Sequence, residues 1–118
     1  PAEGVVEGQQ PLPICYDYTF QRYFYATYEM VAAAVVKISQ RIIGSPEECA
    51  SVNDLYYEIP NVSPINDIGN QIGWSQKTGL PKLPEKQYIK YTGTPNGTPC
   101  WILSWENPPQ YGFQFFRN

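Results

Sequence analysis

The chain has 118 residues with 8 basic side chains, 11 acidic ones and no histidine. That length suits one domain. The missing histidine removes the ordinary general base near neutral pH, any Ser-His-Asp or Cys-His triad within the chain, and His-ligated zinc. A net charge of −3 argues against a duplex-binding surface, which needs clustered cations, and 15% aromatic content argues against disorder.

Residues 1–13 are rich in Gly, Pro and Gln and are expected to form an extended arm ahead of a single domain over 14–118. Residues 14–18 suit a short strand or the lead into a helix. The strongest predicted element is a long amphipathic helix over 19–43. It holds neither Pro nor Gly, and Phe20, Phe24, Thr27, Tyr28, Val31, Val35, Ile38 and Ile42 recur at spacings of three and four. Gly44 and Pro46 then supply a stop.

Ser51-Val52-Asn53-Asp54 announces a second helix, with Ser51 as cap and Asp54 reaching back, ending before Pro60. A third, short helix is expected from Ser63-Pro64, stopping around Gly69 to Gly73, after which Trp74 folds back to close the core. Residues 75–85 form a polar loop. Residues 87–92 predict a strand, Thr94-Pro95-Asn96-Gly97 a turn, and residues 99–105 the return strand. Phe113 and Phe115 share one face of a possible third strand. Together these elements predict an α+β domain. One long N-terminal helix and two short helices pack on a C-terminal antiparallel hairpin or small sheet.

The search for chemistry returns little. Cys15, Cys49 and Cys100 contain no Cys-x-x-Cys pair and are odd in number, so three reduced, partly buried thiols are expected, with one bridge plus a free thiol as the alternative. Asp54 and Glu58 share a helix face, but acids in the first half of a helix mainly favour its dipole. Asp67 with its neighbouring asparagines lacks the ligand order of a calcium loop, and Gly69-x-x-x-Gly73 lacks the Gly-Lys-Ser/Thr of a phosphate cradle. Asn96-Gly97-Thr98 matches a glycosylation sequon but reads first as the hairpin turn. No catalytic residue, metal site or cofactor is expected. The longest apolar run, residues 30–36, is far too short for a bilayer. The N-terminus lacks the basic start and apolar core of a signal peptide, and without an initiating Met the chain is expected to be processed or a fragment.

The excess aromatics point to recognition. Ten tyrosines exceed what a core of this size needs, and Tyr is favoured at interfaces because it offers area at low entropy cost plus a polar tip. The competing reading leaves them edging a small core with their hydroxyls in water. The candidate interaction residues are Tyr23, Tyr25, Tyr56, Tyr57 and Trp74, then Tyr88, Tyr91, Trp101, Trp105, Phe113 and Phe115.

Several segments also carry a resemblance. Arg22-Tyr23-Phe24, Ala26-Thr27, the run from Ser51 to Ile59, Asp67-Ile68-Gly69, Ile72-Gly73-Trp74-Ser75 and Asn96-Gly97-Thr98-Pro99-Cys100 occur in that order. They resemble the C-terminal part of an uncharacterised family, a domain of unknown function, from phages and prophages of Firmicutes. The resemblance spans about residues 20–105, and Gly69 to Ser75 is its most specific piece. It implies viral origin and transfers no catalytic residue. Family members carry an upstream hydrophobic segment that this sequence does not include, so no membrane segment is expected here. The resulting expectation is a phage-encoded, non-enzymatic protein-interaction domain. It would be a virion-associated structural or accessory protein contacting phage structural proteins or itself, in the virion or the host cytoplasm. The alternative is an early, soluble inhibitor of a host defence enzyme. No nucleic-acid partner is expected.

Overall fold

The computed structural model describes residues 12–115. The arm expected over 1–13 therefore lies outside the described residues, apart from Leu12 and Pro13.

The described chain opens with a β-hairpin. β1 (Ile14–Asp17) pairs antiparallel with β2 (Arg22–Tyr25), and Gln21, at φ 55, lies in the reversal between them. The helix expected from residue 19 is corrected here. The aromatic residues of 16–25 suit a pleated surface, and their spacing fits period 2 as well as period 3.6. Helix α1 (Tyr28–Gly44) starts only where Thr27, in extended backbone, accepts a hydrogen bond from the Met30 amide. It buries Val31, Ala34, Ile38 and Ile42.

β3 (Cys49–Ser51) runs directly into α2 (Val52–Tyr57). The Ser51 hydroxyl accepts from the Asp54 amide at 3.1 Å and the Asp54 carboxylate accepts from the Ser51 amide at 2.9 Å, a complete capping box. Helix α3 (Ile68–Gln71) does not begin at Ser63-Pro64. The reason is Asn53, buried on α2. Its carboxamide accepts from the Ile65 amide and donates to the carbonyls of Ile65 and Asn66, so these backbone groups are engaged by a side chain. Gly69 admits that side chain: a Cβ there would sit 2.4 Å from Asn53 Oδ1.

β4 (Ile72–Ser75) follows at once and carries the buried Trp74. The strand expected over 87–92 is mostly not one. A 3-10 turn occupies Lys86–Tyr88, and β5 is confined to Tyr91–Gly93. The reversal into β6 (Pro99–Leu103) has Gly97 at φ 81, with its amide on the Thr94 carbonyl at 2.8 Å. β7 (Gln110–Tyr111) pairs with β4, and Phe113–Phe115 is a 3-10 turn rather than a third strand of the hairpin.

Two sheets result, ordered β2-β1-β6-β5 and β3-β4-β7. In the first, β1 lies parallel to β6 and the other pairings are antiparallel; the second is antiparallel throughout. The architecture is α+β, but the expected arrangement is overturned. The long helix of 17 residues lies mid-chain, and sheets of four and three strands replace a C-terminal hairpin. The cause is non-local. β1 lies between its hairpin partner β2 and the distant β6, so strands far apart in the chain pair side by side. The core gathers Trp74, Tyr56, Leu55, Ile38 and Leu103, with Trp74 and Trp105 edge to face at 5.1 Å. Among the described residues no helix is long and apolar enough to cross a membrane.

Candidate functional site

Strand alternation sorts the aromatic residues. Along β1, Cys15 and Asp17 are buried while Ile14 and Tyr16 are half-buried. Their register partners on β2 follow suit: Phe24 opposes Cys15, whereas Tyr25 and Tyr23 oppose Ile14 and Tyr16. On β6, Trp101 and Leu103 share the inner face with Cys15 and Asp17, and Ile102 shares the outer face with Tyr16. The outer face of the β1–β2 hairpin thus carries Ile14, Tyr16, Tyr23 and Tyr25. Tyr23 and Tyr25 are 46% and 44% exposed, and the Tyr16 and Tyr23 rings lie 4.9 Å apart. A shallow groove of about 240 Å³ runs between this face and the Thr94–Asn96 segment, lined by Ile14, Tyr23, Tyr25 and Pro95 and by no charged side chain.

The other expected interaction residues fall into three groups. Tyr56, Trp74, Trp101, Trp105 and Phe113 are buried core residues, which corrects their assignment to a surface. Their polar atoms are used internally: Trp74 Nε1 donates to the Asn107 carbonyl at 2.7 Å and Trp101 Nε1 to the Ala26 carbonyl at 2.8 Å. Tyr88 and Tyr91 are exposed; Tyr91 lines a second groove of about 260 Å³ with Tyr28, Ile89 and Cys100. Lys86 and Glu29 pair at 2.7 Å on its wall, and each holds the other charged: the Glu29 carboxyl falls below and the Lys86 amine rises above its ordinary value. Tyr57 and Phe115 are exposed, at the end of α2 and in the last 3-10 turn.

The acidic residues tested for catalysis are engaged structurally. Asp54 closes the capping box and lies 3.5 Å from Arg41, and Glu58 lies 3.7 Å from Lys37. Among the described residues no group of three or more Cys, Asp or Glu converges to hold a metal. Four residues of the motif from Gly69 to Ser75 serve packing or internal hydrogen bonding, while Asn70 and Gln71 are exposed. Gly69 admits Asn53, Gly73 lies against the β3 backbone, Trp74 fills the core and Ser75 bonds Thr78.

Sequence reasoning missed Asp17 and Arg22. Asp17 is fully buried and accepts a hydrogen bond from the Tyr56 hydroxyl. Arg22, its register partner, places its guanidinium 4.2 Å from the Tyr56 ring centroid and 5.4 Å from that of Phe24. Burial raises the Asp17 carboxyl above its ordinary value, against the Tyr56 hydrogen bond, the Arg22 charge and the nearby amides of Phe20 and Thr19. Burial, then the Asp17 charge, also raises Tyr56. A period-2 reading of residues 14–25 would have flagged the pair, because it puts an Asp and an Arg on an otherwise apolar face.

None of the three cysteines forms a disulfide. Burial first, then the Asp17 charge and the neighbouring Cys100, pushes the Cys15 thiol up. With a thiol-reactive dye at pH 8, the folded protein should label at Cys49 alone, which is only half-buried, and at all three positions in denaturant. Rapid labelling of Cys15 in the folded protein would contradict the buried inner face. Searches among protein-family models, curated proteins and solved structures returned no match to this chain.

Proposed function

We propose that the chain is a non-enzymatic protein-interaction domain, carried by a phage as a structural or accessory part of the virion. Its contact surface is the outer face of the β1–β2 hairpin, and its partners are other protein chains, either phage structural proteins or copies of itself. One observation carries the contact surface: Tyr16, Tyr23 and Tyr25 lie side by side on one sheet face, beside a groove without charge. Single exposed aromatics need no explanation, but a contiguous group marks recognition. Tyrosine rings supply contact area with little entropy to lose, and their hydroxyls keep the face compatible with water until it is covered. The phage setting rests on the sequence resemblance alone.

The test uses virions of a phage encoding this chain. Mass spectrometry of purified particles should find it in many copies. A Tyr23→Ser/Tyr25→Ser variant, with unchanged circular dichroism, should fall at least about tenfold in incorporation, as expected when central interface aromatics are truncated. Absence of the wild-type chain from particles ends the virion reading. Full incorporation of the variant ends the assignment of the surface. Stoichiometric recovery with one host enzyme would favour an inhibitor instead.

A further inference from the structure

We propose that Asp17, Tyr56 and Arg22 form a proton-tightened clamp that holds the β1–β2 hairpin on α2 most firmly when the Asp17 carboxyl is neutral. The clamp is independent of whether the outer face binds a partner.

Three observations meet at this point. Asp17 is fully buried at the end of β1, and the Tyr56 hydroxyl that bonds it comes from α2, so this hydrogen bond joins hairpin to helix. Arg22 sits opposite Asp17 in the strand register, yet it stacks on the Tyr56 ring instead of forming an ion pair with the carboxylate. Among the described ion pairs none includes Asp17. Finally, Asp17 Oδ1 and Arg22 Nε and Nη2 are buried and close no hydrogen bond within the protein. A charged Asp17 would thus be desolvated with the Arg22 charge nearby but no direct ion pair to offset the cost, whereas a neutral one avoids that cost.

The groups facing Asp17 come from its own hairpin and from α2, while β6 beside it sets the apolar Leu103 in register with it. Cys15 shares its strand face and is kept as a thiol by burial; Arg22 faces it from β2, Tyr56 from α2, and the Phe20 and Thr19 amides from the turn. Burial outweighs the Tyr56 hydrogen bond, the Arg22 charge and those amides, so the folded carboxyl lies above its ordinary value of 3.8. A group raised on folding gives its full stabilisation below the unfolded value. That stabilisation declines as pH climbs to the raised folded value and then levels off. The clamp is therefore tightest in acid and weakest once Asp17 ionises.

Amide hydrogen exchange by NMR across pH 4 to 8 reads this directly. Protection of β2 amides, relative to α1 amides in the same molecule, should fall by up to about tenfold per pH unit above the ordinary carboxylate value and then plateau, the slope of one proton bound. Asp17→Asn keeps an acceptor for Tyr56 without the charge, so its profile should be flat. The Asp17 carboxyl carbon should titrate above 3.8 in the wild type, and higher still in Tyr56→Phe, which loses the hydrogen bond favouring the charged form. Titration at or below the ordinary value overturns the proposal. So does hairpin protection that tracks α1 at every pH in the wild type, a result that needs no variant to fold.

Discussion

Gly73→Ala is expected to cost more stability than any other single-methyl addition among the described glycines outside positive-φ turns. A Cβ at Gly73 would lie 2.1 Å from the Ala50 carbonyl oxygen and 2.7 Å from Ser51 Cα. Both are backbone atoms of the paired strand, so no side chain can swing aside. Gly73 is the register partner of Ser51, and Ser51 caps α2. A displacement here strains the β3–β4 pairing and the capping box together. Overpacking commonly costs ~1–3 kcal/mol where side chains can yield; with backbone on the far side the loss should reach or exceed the upper figure. Gly44→Ala is the control, because nothing lies within 4 Å of its Cβ position. That change should be neutral or stabilise by up to ~1 kcal/mol. Urea unfolding followed by tryptophan fluorescence separates the two. Equal midpoints for both variants would refute the close approach.

Trp101→Ala tests whether this residue belongs to the core or to an interface. The ring is 4% exposed, meets Tyr28 edge to face at 6.0 Å and donates to the Ala26 carbonyl. Ala26 is itself fully buried and directly precedes Thr27, the cap of α1. Truncation opens a cavity, a loss of ~3–5 kcal/mol for a buried Trp. It also leaves the Ala26 carbonyl buried without its donor, a penalty of ~1–3 kcal/mol. Trp101→Phe keeps most of the volume and loses the donor, so it should show mainly the second cost. Denaturant midpoints of the isolated chain read both. A surface interaction residue would leave them unchanged, and that result would return Trp101 to the contact face.

The Ser51–Asp54 capping box was visible in sequence because a box closes within four residues and needs nothing from elsewhere. The Asn96-Gly97 reversal was visible for the same reason: its backbone demand falls on one glycine. The later part of α1 followed from Val31, Ile38 and Ile42, whose spacing fits no strand. Residues 19–25 misled because Phe20, Phe24 and Tyr28 match a helical stripe while Tyr23 and Tyr25 match a pleat. Local propensity cannot choose between the two. The start of α3 was misplaced because Asn53 engages the backbone of Ile65 and Asn66 from another element.

The same division runs through the candidate surface. Tyrosine abundance and the lack of histidine belong to the chain before it folds, and they bound the chemistry without any contact being known. Which rings face water depends on β1 lying between β2 and β6, an arrangement made by hydrogen bonds between distant stretches. A pleated strand sends neighbouring side chains to opposite faces, and only the strands beside it and the helix packed on it determine which face is dry. Hence Trp101 and Tyr56 lie inside while Tyr23 and Tyr25 remain outside, and a carboxyl at position 17 ends up buried against a tyrosine from a separate helix.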